Sequence, residues 1–91
     1  MVSLYVHEIR SRTEADADIV VRCMEGPVQV GARFDRFSGV DRAVDLELIR
    51  IFAFHRPVEW LDPVHTGLVT LGGADVRRLA PGQTVRGTNP G

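Results

Sequence analysis

Residues 64–87, VHTGLVTLGGADVRRLAPGQTVRG, constrain the fold more than any other stretch. Thr66, Val69 and Thr70 are β-branched and Leu68 and Leu71 are apolar, which suits a pleated, largely buried strand. Gly72-Gly73 permits the positive φ that a sharp exit from that strand requires. Within residues 74–79, Val76 and Leu79 stand one helical turn apart, so a single polar turn is expected to lay both over the core. Pro81-Gly82 carries the signature of a type II turn, and residues 83–86 read as a short closing strand. A chain with this segment is predicted to be a small closed β-barrel.

The preceding chain supplies the other strands. Residues 2–10 alternate, with Val2, Leu4 and Val6 on one face. Residues 11–18 hold no large apolar side chain and are expected to be solvated loop. Residues 19–25 form a second strand with Ile19, Val21 and Cys23 inward, and Gly26-Pro27 turns the chain into a short extended piece at 28–30. Gly31 releases it into a strand at 32–37, followed by a polar turn at 38–42. In residues 44–54 the alternation of Val44, Leu46 and Leu48 is broken at Ile49. Either both faces of the second half are covered or a β-bulge near Leu48-Ile49 resets the phase; the bulge is expected, placing Ile49, Ile51 and Ala53 inside and Arg50, Phe52 and Phe54 outside. Pro57 is expected to end that strand, and residues 58–61 to add a short one before the Asp62-Pro63 turn. The prediction is an all-β domain over residues 1–87 with a flexible tail at 88–91.

Size and charge narrow the functional classes. Ninety-one residues suffice for one domain with a modest core. The formal charge is −1, so no global field draws the chain to nucleic acid or anionic lipid. All eleven basic residues are Arg. Cys23 is the single cysteine and forms no intrachain disulfide, which suits a reducing, cytoplasmic setting. The opening MVSLYVHEIRSR lacks the pattern of a signal peptide, and no window has the apolar length of a membrane helix.

Two motifs, taken together, resemble a known family. GPVQVGARF at residues 26–34 resembles the G-x-x-x-V-G-D-x-V segment in the second domain of elongation factor Tu and its relatives. TGLVTLG at 66–72 followed by RLAPGQTV at 78–85 is similar to that domain's later signature, a V-G-x-x-L-x-G strand, a polar turn and a G-x-V-L ending. Order and spacing agree over residues 19–87. The resemblance implies a six- or seven-stranded Greek-key barrel with at most one or two short helical turns. In that family the domain accompanies a GTPase domain and helps hold the acceptor end of aminoacyl-tRNA. This chain has no lysine and hence no G-x-x-x-x-G-K-[ST] phosphate loop, so it does not hydrolyse GTP by itself. Counting back without gaps from Gly67, the family's charged residues at the terminal nucleotide fall on Ile51 and Phe54, which cannot make those polar contacts. Asp62-Pro63 stands where the family has Ala-Gly, residues 11–18 replace its Gly-rich loop, and Ala32 replaces the acidic residue after Gly31.

No catalytic constellation is visible. His55 and His65, with Glu59 or Asp62, lack the short paired spacing of a metal motif, so no metal or other cofactor is expected. Cys23 lies at an inward phase, where a thiol is inert. Ser11 and Ser38 have no evident base, and Asp16 and Asp18 sit in a polar stretch. What stands out is Arg50, Phe52, Phe54, His55, Arg56 and Trp60, aromatics and arginines of the kind that carry interface hot spots. Plugging of the barrel ends by Phe52 and Trp60 is the plain structural role for the same residues. The expected function is a non-catalytic module binding a protein partner or a second copy of itself. An RNA- or tRNA-binding accessory domain, with bases stacked on Phe and Trp, is the alternative.

Overall fold

A computed structural model describes residues 1–38 and 42–91. Nine strands occur in the described chain: β1 (Val2–Arg12), β2 (Asp16–Glu25), β3 (Val28–Gln29), β4 (Arg33–Phe37), β5 (Leu46–Ala53), β6 (Arg56–Val58), β7 (Trp60–Leu61), β8 (Thr66–Gly72) and β9 (Thr84–Thr88). Six of them run β4-β9-β1-β2-β8-β5, and pairing of β4 with β5 closes the ring. The β1–β2 hairpin is flanked by β8 and β9, which return from the far end of the sequence, as a Greek key requires. The expected closed all-β barrel is therefore the observed one. β6 adds to the free part of β5, and β3 and β7 form a separate two-stranded ladder.

Alternation decides what lies inside. Leu4, Val6, Ile19, Val21, Leu46, Leu48, Ile51, Val69, Leu71 and Val85 are each no more than 1% exposed and fill the cylinder with Phe34. The expected helical turn is a 3-10 turn at Val76–Arg78, and Val76 and Leu79 are both buried beneath it. Gly82, at φ 91°, takes the left-handed position of the Pro81-Gly82 turn.

Four expectations are corrected. Residues 11–18 are not a loop, because β1 continues to Arg12 and β2 begins at Asp16. Residues 13–15 turn the chain, with the Thr13 Oγ1 accepting from the Ala15 and Asp16 amides at 3.1 and 3.0 Å. This hairpin tip needs no large apolar residue, since small Ala17 is its buried contact and Arg12 ties it down by donating to the Arg77 and Leu79 carbonyls. Second, the bulge in β5 exists, but Ile49 points outward and is 43% exposed. Leu48 pairs with Leu71 and Arg50 with Thr70, so Ile49 is the extra residue and the phase resets after it. Third, Pro57 does not end the strand system, since it sits in edge strand β6 opposite Phe52. Trp60–Leu61 accordingly belongs to a different ladder from Arg56–Val58, with Leu61 opposite Val28.

Last, the expected flexible tail at 88–91 is held at least through Asn89. β9 runs through Thr88, the Asn89 Oδ1 accepts from the Gln29 amide at 2.9 Å, and the Asn89 Nδ2 donates to the Pro27 carbonyl at 2.9 Å. The expected polar turn at 38–42 falls partly on residues 39–41, outside the described residues.

The closest approach in the barrel wall is at Gly87, between β1 and β4. A Cβ there would lie inside the contact distance of the Arg33 carbonyl oxygen and the Phe34 Cα. Gly87→Ala should therefore cost about 3 kcal/mol, the upper end of overpacking, because only backbone could move. Urea unfolding checks this, with Gly91→Ala, which meets nothing, as the neutral control.

Candidate functional site

The site is built from the end of β5 outward. Ala53 pairs with Arg56, leaving Phe54-His55 as a two-residue loop. Both loop residues are left-handed, at φ 55° and 64°, as a type I′ turn demands. That turn matches the twist of its strands but favours Asn-Gly, and each non-glycine residue forced into this region costs about 1 kcal/mol. Phe54 is 60% exposed and meets the His65 ring edge-on, with centroids 5.3 Å apart. Val64, a β-branched residue at φ 66°, lies next to that histidine and is fixed by its amide donating to the Cys23 carbonyl at 2.8 Å. All three left-handed non-glycine residues of the described chain thus fall in two neighbouring loops at one end of the barrel.

Beside the Phe54-His55 turn lies a groove of about 330 Å³, lined by Phe54, Pro57 and Trp60 together with Arg56, Glu59 and Asp62. Trp60 is 56% exposed and stands opposite Gln29 in the β3–β7 ladder. Neither Glu59 nor Asp62 takes part in an ion pair among the described residues.

A second apolar feature adjoins the groove. Val20 of β2 pairs with Leu68 of β8, Leu68 with Phe52 of β5, and Phe52 with Pro57 of β6. Residues in register share a face, so these four side chains form one row across the outside of four strands. Val20 and Leu68 are half-buried, while Phe52 and Pro57 are exposed. The row beside it is polar: Arg50 Nε donates to Thr70 Oγ1 at 3.1 Å, and Thr70 Oγ1 donates to Asp18 Oδ1 at 2.6 Å. The row on the other side carries Arg22 and Thr66.

The six residues singled out in sequence thus separate. Phe54, Arg56 and Trp60 meet at the groove; Phe52 anchors the row; His55 occupies the turn; Arg50 is engaged with Thr70 and is not part of the groove. Val20, Leu68 and Pro57 were not among the expected site residues, although the outward phase of the first two was readable from the alternation of β2 and β8. His55, His65, Glu59 and Asp62 do not gather into a ligand set, and no three such side chains cluster among the described residues.

Cys23 lies behind this end, fully buried. Burial pushes its thiol pKa up, the hydrogen bond with the Val28 backbone opposes this, and the Asp62 carboxylate adds to the rise. The raised native pKa means that the thiol's contribution to stability is complete below the ordinary thiol value of about 8.5 and is lost as pH rises through the native pKa. A thiol reagent at pH 8 should therefore label Cys23 roughly a hundredfold faster in denaturant than in the native chain. At the turn, His55→Gly should raise the unfolding free energy by about 0.5–1 kcal/mol by relieving the left-handed strain. A loss of stability in denaturant titration would contradict the type I′ assignment.

The sequence matches no family model and no curated protein sequence. The fold is similar to part of translation elongation factor SelB from Methanococcus maripaludis in its apo form, with a TM-score of 0.77 and 14% identity. The match covers 97% of this chain and 18% of that one. No helix among the described residues is long and apolar enough to cross a membrane. The likeness extends to the fold, and the chain has the closed barrel of a translation-factor domain, as the resemblance to the second domain of elongation factor Tu implied.

Proposed function

We propose that this barrel is a non-catalytic, cytoplasmic binding module that takes a protein partner through the outer face of β5 and β6. The observation that carries the reading is the apolar row Val20–Leu68–Phe52–Pro57, continuous through Pro57 with the groove at Phe54 and Trp60. At a strand spacing of about 4.8 Å the row spans about 14 Å, on a molecule of 32 × 26 × 23 Å. An apolar centre with polar rows on both sides is the arrangement of a protein interface. Covering the exposed parts of Phe52, Phe54 and Trp60 would contribute about 1 kcal/mol or more each. Their left-handed neighbours add a cost in the free protein that selection for stability alone would remove.

RNA or tRNA binding is the second reading, supported by the likeness to a translation factor and by the presence of both Trp60 and Arg56 in the lining of the groove. Against it stand the near-neutral charge and the two carboxylates at the groove. Ile51, one of the two positions matching the family's nucleotide contacts, is 1% exposed in the core.

The tagged chain should retain a protein from its native extract after nuclease treatment and at raised salt. Phe52→Ser, at a position 46% exposed, should abolish that retention while costing about 1 kcal/mol or less of stability. Retention lost to nuclease would move the assignment to RNA. Retention unaffected by both Phe52→Ser and Trp60→Ser would rule the face out. Self-association, seen as a concentration-dependent sedimentation coefficient that Phe52→Ser removes, would make the partner a second copy.

A further inference from the structure

We propose that the groove beside the Phe54-His55 turn receives a proline-rich segment of the partner in the polyproline II conformation, with an Arg or Lys beside its prolines. This deepens the protein-binding reading and rests on it. The groove volume, about 330 Å³, is at the small end of the range for ligand pockets, suited to a short extended segment.

The backbone at its edge limits how such a segment is held. β6 is the outermost strand beside β5, and at its centre Pro57 offers no N–H. Addition of a further β-strand along this edge would lack a central donor, so recognition falls to side-chain shape. A polyproline II segment suits that demand. It needs no backbone pairing, arrives with little conformational entropy left to lose, and lays pyrrolidine rings on aromatic walls. The walls here are Phe54 and Trp60, with Phe54 braced by the edge of His65. Trp60 is 56% exposed, and its indole N–H is the donor it offers to one of the solvated carbonyls of such a segment.

Charge selects the sign of the neighbouring residue. Of the three ionised side chains lining the groove, Glu59 and Asp62 are acidic and only Arg56 is basic. Neither carboxylate is engaged in an ion pair among the described residues. A cation beside the prolines is attracted, whereas a phosphate backbone would have to pass two unpaired carboxylates.

Trp60 is the single tryptophan, so its fluorescence reports the groove directly. The intact chain is titrated with a synthetic peptide carrying a P-x-x-P core flanked by Arg. Parallel titrations use the same peptide with Pro→Ser, the same peptide with Arg→Glu, and a single-stranded RNA oligonucleotide. The expected result is a saturable blue shift with the first peptide, at least tenfold weaker binding with either altered peptide, and no saturation with RNA.

Phe54→Ala should weaken the peptide at least tenfold. Ile49→Ala, which lines a separate groove with Ala15 and Gly72, should leave it within twofold. The double charge reversal Glu59→Lys with Asp62→Lys should invert the preference toward the Glu peptide, a readout that general loss of folding would not produce. Equal binding of the Pro→Ser peptide, an unchanged charge preference after the reversal, or no saturation at millimolar peptide would each overturn the proposal, as would salt-sensitive RNA binding that the peptide does not displace. If the peptide fails while Phe52-dependent retention of a protein persists, the proline-rich assignment falls and the broader protein-binding reading stands. Failure of that retention removes both.

Discussion

β5 has to serve two neighbours on one edge. Its first residues pair with β4, which closes the barrel, and its last residues pair with β6, which leaves it. A strand with uninterrupted alternation could not do both with this sequence. Starting from buried Leu46 and Leu48, strict period two would drive Arg50 and Phe52 into the core and leave Ile51 outside. Burying an unpaired guanidinium costs far more than any contact there could return. The extra residue Ile49 resets the phase, so Arg50 stays on the surface beside Thr70, Ile51 enters the core, and Phe52 faces outward. The outward aromatic face is thus a consequence of how the cylinder closes.

The same reset explains why the far end of β5 carries strain. Beyond the bulge the strand leaves β4 behind and must find another partner for its free edge, which the immediate reversal at Phe54-His55 provides. A tight type I′ return gives that partner at the cost of two left-handed non-glycine residues. The surrounding structure supports the cost: Val58 packs against the core, Leu61 is buried opposite Val28, and Val64 is held by the Cys23 carbonyl. Asn-Gly would have made the turn without that cost. What the chain has in its place is an exposed phenyl ring set against His65 at the mouth of a groove.

How far the sequence could be read follows from these two features. The barrel was legible because period-two alternation over β1, β2, β5 and β8 is a direct image of an inner and an outer wall. The capping by Val76 and Leu79 and the left-handed Gly82 were legible for the same local reasons. The hairpin tip at residues 11–18 was not, since beyond the barrel rim a strand needs only hydrogen bonds and one small buried residue, Ala17. Ile49 was misplaced by one residue because alternation shows that a bulge exists but not which of two adjacent residues is extra. β6 was obscured by Pro57, which reads as a terminator unless its strand is already known to be an edge. The outward phase of Phe52 and Phe54 was legible, the exposure of Trp60 was open between an interface and a plug of the barrel end, and the apolar row needed the cross-strand register to bring Val20 and Leu68 to Phe52.

A shared cylinder and a shared function separate here for a physical reason. The wall that this chain has in common with a translation-factor domain is set by inward residues, and those tolerate 14% identity as long as phase and volume are kept. Recognition depends on the outward residues and the loops, which closure leaves free to change. At the end of β5, Ile51 lies in the core and Phe54 in a strained turn. Neither offers a hydrogen bond to a sugar or a phosphate, and Glu59 and Asp62 nearby add negative charge. Outward residues can vary without disturbing the inner wall, so the same fold can carry an apolar row and an aromatic groove lined by Glu59 and Asp62. Those features, and not the shared cylinder, are what the proposed binding of a protein rests on.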